Sequence, residues 1–416
     1  MNGIKKEKKA IDRSALLIWL CWLIYTCAYL GKLSYNANIN QIGEAFGATY
    51  SQTGLVSTCF FFAYGIGQVV NGFMCKRYNV KLVIFAALLV SGGMNLLVGL
   101  SPDFGTIKYF WLINGAAASF LWTSIIRLLS ETLSEMNMSK AVFIMGTTVS
   151  TGTLLIYGIS SLLAGLGAFK VTFYIASGVI CAAALVWIFS FDSLVKPLKA
   201  ERGEESAKAQ AITTEKKVSG MTGLYPALVI MGIFAVSNNM VKDGITTWTP
   251  DILSAIYNTP GWLSILLTLL LPIMGIGGAA LAMRLRRSVP DFISMCTALF
   301  VSAGVLIGVV MLLLNTGAVA VTVGCFAVVS CLMMAVNNII TSMVPLSYKD
   351  RLNSGKLAGI LNGCCYLGST VSTYSLGMVA DSFGWVAVFW TLISVTALAA
   401  ALGGVYMINK KMRKQI

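Results

Sequence analysis

One lysine and three polar side chains lie on a single face of the first long apolar stretch of the chain. Tyr25, Tyr29, Lys32 and Asn36 follow one another at intervals of four, three and four residues within residues 15–38, a spacing that aligns them along one side of an α-helix. A cation in hydrocarbon is costly, so such a lysine usually faces a bundle interior or a watery cavity. Together with two phenols and an amide, it would line a site for a polar, anionic ligand. The alternatives are a lysine that snorkels to the interface or neutralises a partner carboxylate.

A second lysine occupies an equivalent place in the other half of the chain. Lys242 lies within residues 224–250, with Asn239 one helical turn before it, and it follows Lys32 after about half of the sequence. Two ammonium groups on equivalent helices could converge on one dianion, and phosphate esters carry nearly two negative charges at neutral pH. The alternative is an ion pair between Lys242 and Asp243, which we expect not to form because adjacent helical residues do not face each other.

Two later apolar stretches add Asn337 and Tyr366 to the predicted binding site. Hydrogen bonds between helices offer another explanation for a buried asparagine, at about 0.6 kcal/mol each. Arg127 lies one turn before Glu131, and we predict that these two form a structural ion pair rather than a contact with ligand.

The composition excludes a water-soluble enzyme. The chain has 416 residues, of which 57% are hydrophobic and only 11% are charged, against about 25% charged in a soluble domain. It has no histidine, and its ten cysteines show no metal-ligand spacing. We therefore expect neither enzymatic activity, nor a metal site, nor a cofactor. No cleavable signal peptide is evident, because the first apolar stretch is too long and lacks a small-residue cleavage site.

The apolar stretches predict a polytopic, all-α membrane protein, at about 20 residues per crossing. We expect twelve transmembrane helices in two pseudo-symmetric six-helix halves. The twelve predicted spans are 15–38, 51–74, 82–101, 107–132, 141–167, 171–191, 224–250, 261–283, 291–314, 318–346, 357–380 and 385–408.

A charged segment divides these spans into two sets of six. Residues 192–222 are rich in Lys, Glu, Ala and Ser and have no apolar face, so we predict a cytoplasmic linker without a fixed structure there. It separates an N-terminal half, residues 1–191, from a C-terminal half, residues 223–416.

Basic residues indicate the orientation in the membrane. The net charge of +14 comes from short basic segments between apolar spans, which points to topology and not to nucleic-acid binding. The termini, the linker and one set of loops carry most of the Lys and Arg, so both termini and the linker are predicted to be cytoplasmic. We expect a monomer in the lipid bilayer of the cell membrane.

Three stretches resemble the organophosphate:phosphate antiporters of the major facilitator superfamily. The stretches are Tyr29-Leu-Gly-Lys-Leu-Ser-Tyr-Asn36, Lys242-Asp-Gly-Ile-Thr-Thr-Trp-Thr-Pro250, and Gly363-Cys-Cys-Tyr-Leu-Gly368 with Asp381-Ser-Phe-Gly-Trp385. The resemblance implies the major facilitator fold and inward exchange of a sugar or glycerol phosphate for inorganic phosphate by alternating access. It also implies that Lys32 and Lys242 replace the two phosphate-binding arginines of the family, and that Tyr25, Tyr29 and Tyr366 surround the substrate.

The sequence departs from this family at several of these positions. Lysine offers phosphate a point charge where arginine offers a planar fork. Leu33 replaces a third cation, and Lys76 replaces an aspartate of the loop after the second span. The histidine that some members carry in the fifth span is absent, and hydroxyl residues 147–151 occupy that region. Transport of an organic anion is compatible with these changes, whereas exchange for inorganic phosphate is less well supported.

The sequence therefore predicts a carrier for a small organic anion, a phosphorylated sugar or glycerol derivative. Two alternatives stay open. One is a proton-coupled carrier of carboxylates or other organic anions. The other is a sensor on the same scaffold, which binds a sugar phosphate and signals without transporting it.

Overall fold

A computed structural model describes residues 12–74, 77–209, 225–289, 291–348 and 354–412. No β-strand occurs among these residues. Their α-helices, in chain order, are α1 (Arg13–Ala37), α2 (Ile39–Phe46), α3 (Tyr50–Met74), α4 (Val80–Leu100), α5 (Phe104–Thr132), α6 (Glu135–Met145), α7 (Thr148–Gly165), α8 (Phe169–Ala209), α9 (Tyr225–Tyr257), α10 (Gly261–Thr268), α11 (Leu270–Ser288), α12 (Phe292–Leu313), α13 (Val319–Asn338), α14 (Val344–Ser347) and α15 (Ser354–Met412). A 3₁₀ turn (Leu314–Thr316) follows α12, and a π turn (Ile339–Met343) follows α13.

The helices account for twelve membrane crossings. Eleven helical segments of the described residues are long and apolar enough to span a bilayer, and the last of them, Leu357–Met412, has 56 residues. At about 1.5 Å per residue it is far longer than a bilayer core of about 30 Å. Gly384 breaks α15 with φ 77° and ψ 175°, a backbone conformation that glycine adopts without steric cost. The segment therefore crosses twice, and the prediction of twelve spans in an all-α membrane protein is confirmed.

Large apolar side chains cover the outside of the bundle. Phe143, Phe189 and Leu312 are each 78–80% exposed, whereas aromatic residues such as Trp111 and Trp248 are fully buried. Exposed apolar surface on this scale suits a protein surrounded by lipid acyl chains. The chain is a multi-pass membrane protein.

Two of the crossings are built from broken helices. The fifth consists of α6 and α7, and the eighth of α10 and α11. The break between α10 and α11 precedes Pro272, which has no N–H to donate to the carbonyl of Thr268. Both broken crossings contribute residues to the central cavity described below.

The segment predicted as a linker is helical where the structure describes it. Helix α8 extends through Ala209, so residues 192–209 continue the sixth span, contrary to the prediction of a segment without regular structure. Alanine, lysine and glutamate are strong helix formers, and a helix that already exists extends without a new nucleation cost. The rest of the linker, residues 210–222, lies outside the described residues.

The two groups of helices, α1–α8 and α9–α15, meet tightly at one end of the bundle. We call this end the closed face and the end where α1 begins the terminal face. At the closed face, Asn36 Nδ2 donates to Thr247 Oγ1 at 3.0 Å. The Asp381 carboxylate accepts the backbone N–H groups of Tyr50 and Ser51 at 3.0 and 2.7 Å, which fixes α15 against the start of α3.

Candidate functional site

A cavity of about 230 Å³ lies between the two groups of helices, near the middle of the bundle. Residues of α1, α3, α7, α9, α11, α13 and α15 line it, including both predicted lysines, Lys32 and Lys242. The structure thus brings together the two cations that the sequence placed on equivalent helices.

Three tyrosines surround the Lys32 ammonium group. Its Nζ lies 4.2 Å from the ring centroid of Tyr64, 5.1 Å from that of Tyr29 and 5.2 Å from that of Tyr366. It is also 3.4 Å from the Tyr366 hydroxyl oxygen, to which it donates. Lys32 is only 8% exposed, and it takes part in none of the ion pairs found among the described residues. Aromatic faces stabilise the cation electrostatically.

Tyr64 is a residue of the site that the sequence pattern does not indicate. It lies on α3 and is 2% exposed, and its ring also packs against that of Tyr366 with centroids 4.5 Å apart and planes tilted by 51°. In the sequence it follows the apolar run Phe60-Phe-Phe-Ala63, so nothing local distinguishes it from a core aromatic. Only the tertiary arrangement, in which α3 packs against α5 and α15, places it over Lys32.

Lys242 forms an ion pair with its neighbour Asp243, contrary to the prediction. Its Nζ lies 3.2 Å from Asp243 Oδ1, and both side chains are about one-fifth exposed. The prediction was wrong because the Cα–Cβ bonds of adjacent helical residues point in different directions, but a four-carbon lysine side chain is long enough to bend back to the adjacent carboxylate. Asp243 also accepts hydrogen bonds from Asn239 Nδ2 at 3.2 Å and from the Ser369 hydroxyl.

Tyr25, Tyr29, Asn337 and Tyr366 line a second cavity, of about 460 Å³. Three of them, Tyr29, Asn337 and Tyr366, also line the first cavity, so the two spaces adjoin. The second cavity extends towards the terminal face, where its lining includes Gly72 of α3, Ile126 of α5 and Ala358 of α15. We call it the vestibule, and it leads from the central cavity towards the terminal face.

Asn36 lies outside both cavities. Its Nδ2 donates to Thr247, its Oδ1 accepts from Ser57 Oγ at 3.2 Å, and it is 4% exposed. The structure therefore places Asn36 in the contact between helices at the closed face, and its assignment to the binding site is not supported. Asn239 does line the central cavity, but its amide is engaged by Asp243 and by Ser369 Oγ at 3.0 Å.

The predicted ion pair between Arg127 and Glu131 is present. Arg127 Nε lies 2.6 Å from Glu131 Oε1, and Lys199 of α8 reaches the other carboxylate oxygen at 3.3 Å. The contact between Lys199 and Glu131 connects α8 to α5 near the terminal face. Arg127 is not among the residues that line either cavity.

The charges of the central cavity favour an anion. It contains two ammonium groups and one carboxylate, and that carboxylate is already shared between Lys242, Asn239 and Ser369. The tyrosine hydroxyls supply further donors. Charge-assisted hydrogen bonds from Lys32 and Lys242 could replace much of the hydration that an anion loses on entry.

Comparison with known proteins agrees with the fold. The sequence profile of the Major Facilitator Superfamily matches residues 21–373. A membrane sensor protein, UhpC of Salmonella typhimurium, is 29% identical over 114 residues, which is 27% of this chain and 26% of that protein. A probable hexose phosphate transport protein of Chlamydia trachomatis is 24% identical over 140 residues, 34% of this chain and 31% of that protein. The aligned segments thus cover less than a third of these relatives.

Solved structures match over almost the whole chain. A bacterial homologue of the human lysosomal transporter Spinster, in an inward-facing and occupied conformation, has a TM-score of 0.69 at 13% identity, over 94% of this chain and 96% of that chain. A D-xylose-proton symporter has a TM-score of 0.70 at 14% identity, over 93% of this chain and 96% of that chain. At these identities the likeness concerns the fold alone.

Proposed function

This chain belongs to the Major Facilitator Superfamily, and we propose that it carries a small organic anion across the cell membrane by alternating access. The observation that supports this most strongly is Lys32. A buried ammonium group that lies among tyrosine side chains, faces a cavity and forms none of the ion pairs found among the described residues is available to a ligand. Charged residues within membrane-spanning segments usually mark a substrate or ion pathway.

The proposed cargo is a phosphate ester of a sugar or of glycerol. Lys32 and Lys242 would bind the phosphoryl group from two sides, and Tyr25, Tyr29, Asn239, Asn337 and Tyr366 would orient the remainder. Cavities of about 230 and 460 Å³ are comparable with small-molecule sites of roughly 300–1,000 Å³. Relatives named as probable hexose phosphate transport proteins support this class of cargo. Inorganic phosphate, which presents the same oxygens, is the proposed counter-substrate.

The proposed topology has both termini in the cytoplasm, with the two six-helix halves joined by residues 192–222. In that orientation the vestibule leads to the cytoplasm, and the closed face is on the outside. Protease added outside intact cells should therefore leave residues 192–222 uncut. Cleavage within this segment would contradict the topology.

Counterflow in proteoliposomes tests the proposed function. Vesicles loaded with unlabelled glycerol 3-phosphate, a hexose 6-phosphate, inorganic phosphate or a dicarboxylate would be diluted into the labelled form of each compound. We expect accumulation of labelled phosphate ester, and faster uptake when phosphate or a phosphate ester is inside. Accumulation of the dicarboxylate alone would contradict the phosphate-ester proposal and favour the carboxylate carrier.

A sensor is the second candidate, because one relative is named a membrane sensor protein. The same site would then bind a sugar phosphate without moving it. Two measurements on the same preparation distinguish these functions: thermal stabilisation by the ligand, and counterflow. Stabilisation together with accumulation supports the carrier, whereas stabilisation without accumulation supports the sensor.

A further inference from the structure

An acidic pocket of about 320 Å³ lies at the closed face, apart from the central cavity. Its lining includes three carboxylates, Glu44 of α2, Asp251 of α9 and Asp381 of α15, and no lysine or arginine. The Asp381 carboxylate already accepts hydrogen bonds from the backbone N–H groups at the start of α3. Asp251 and its partner Asn40 are the residues of this pocket whose hydrogen bonding is incomplete.

Asp251 is a buried carboxyl group with a single hydrogen bond. It is 2% exposed, and Asn40 Nδ2 donates to its Oδ1 at 3.1 Å. Its second oxygen, Oδ2, is buried and has no hydrogen-bond partner, and Asp251 takes part in none of the ion pairs found among the described residues. An ionised carboxylate in such a place would lose its hydration without compensation from a cation.

Asn40, the partner of Asp251, also has an oxygen atom without a hydrogen-bond donor. It is 9% exposed, and its amide oxygen Oδ1 is also buried without a partner. A proton on Asp251 Oδ2 would supply the missing donor: the acid O–H donates to Asn40 Oδ1 while Asn40 Nδ2 donates to Asp251 Oδ1. One proton thus satisfies both unpartnered oxygens, whereas ionised Asp251 leaves both without a donor.

The other groups around Asp251 offer it no positive charge. Glu44 and Asp381 line the same pocket and add negative charge. Tyr50 of α3 packs its ring against Trp248, one turn before Asp251 on α9. The hydroxyl of Tyr35 on α1 donates to the Thr53 carbonyl oxygen at 3.0 Å and is therefore not directed at Asp251. These surroundings favour the neutral acid over the carboxylate.

We propose that Asp251 is a proton-binding site whose occupancy is coupled to closure of this face. Asn40 lies on α2 and Asp251 on α9, so their contact joins the two groups of helices. When the face opens, the pair separates and water reaches Asp251, which then releases its proton. Closure requires a proton to return. The coupling rests on the proposed transport function, whereas the proton site itself does not.

Infrared difference spectroscopy of the purified full-length protein tests the site directly. The wild type should show the C=O band of a protonated carboxyl group at neutral pH, and this band should disappear at high pH. In Asp251→Asn, which keeps the shape of the side chain, the band should be absent. Glu44→Gln is the matched control from the same pocket and should retain the band. If Asp251→Asn does not fold, Asn40→Ala takes its place, and loss of the amide partner should shift the frequency of the band.

The outcomes distinguish the proton site from its rivals. A neutral-pH band that persists unchanged in Asp251→Asn, or that does not move in Asn40→Ala, would overturn the proposal. Loss of the wild-type band on adding Na⁺ in place of choline would also overturn it, in favour of a sodium site.

Transport provides the second readout, with glycerol 3-phosphate as the probe. If proton binding is coupled to closure, a pH gradient should accelerate uptake by the wild type. Asp251→Asn should abolish this acceleration while retaining counterflow. Acceleration that survives in Asp251→Asn would contradict the coupling. Absence of counterflow in the wild type would instead contradict the proposed function, and the infrared result would still decide the proton site.

Discussion

Lys242 and Asp243, adjacent on α9, form an ion pair of 3.2 Å that faces the central cavity. The cavity therefore contains an anion of its own, held beside one of the two cations proposed to bind the ligand. An incoming phosphate ester must share Lys242 with this carboxylate or displace it. Lys32 lies among three tyrosine rings and forms no such ion pair among the described residues.

Removing the internal anion should strengthen binding of the ligand. In Asp243→Asn the amide can still accept from Ser369, but it no longer neutralises Lys242. We expect the dissociation constant for glycerol 3-phosphate, measured by calorimetry, to fall by roughly tenfold, which corresponds to about 1.4 kcal/mol. Asp192→Asn, which removes a partner of Lys81 outside the cavity, is the control and should leave binding unchanged. Weaker binding by Asp243→Asn would show that the carboxylate itself contacts the ligand.

The ring of Tyr64, rather than its hydroxyl, should stabilise Lys32. Tyr64→Phe keeps the aromatic face and should melt close to the wild type, whereas Tyr64→Leu should lower the melting temperature of the ligand-free protein. In a Lys32→Met background the same Tyr64→Leu change should cost less, by about 0.5–2 kcal/mol of cation–π coupling. Equal losses in both backgrounds would mean that Tyr64 only fills space.

Arg127 should contribute to folding and not to binding. Arg127→Gln breaks the pair with Glu131 and should reduce the yield of folded protein and its melting temperature. The dissociation constant for glycerol 3-phosphate should stay within about threefold, or roughly 0.7 kcal/mol. Lys199→Gln, which removes the longer and more exposed contact to Glu131, is the milder control. A variant with normal yield and no binding would place Arg127 in the site.

Helical spacing identified the face of α1 that meets the cavity, but not the depth of each residue along it. Asn36 shares the face of Lys32, yet it lies one turn, or about 6 Å, nearer the closed face. That distance separates a cavity-lining residue from one buried between Thr247 and Ser57. Depth depends on where the two groups of helices meet, and one apolar stretch does not encode it.

Contacts between helices account for the other differences between the structure and the sequence-based predictions. The sequence does not distinguish Tyr64 from core aromatics, because its place over Lys32 depends on the packing of α3 against α5 and α15. Asp251 follows Pro250 at the end of the motif that contains Lys242, and its burial depends on Asn40 from α2. Composition and periodicity were sufficient for the twelve crossings, since these depend on local hydrophobicity.

The central claim is that Lys32 and Lys242 bind the same anion. The most direct measurement is a double-mutant cycle of glycerol 3-phosphate binding with Lys32→Gln, Lys242→Gln and the combined variant. Each single change should weaken binding by roughly 10- to 150-fold, since charge-assisted hydrogen bonds contribute about 1.5–3 kcal/mol. The combined loss should differ from the sum of the single losses, because both lysines contact one partner. Binding by either single variant within about twofold of the wild type, a difference of roughly 0.4 kcal/mol, would contradict the shared anion site.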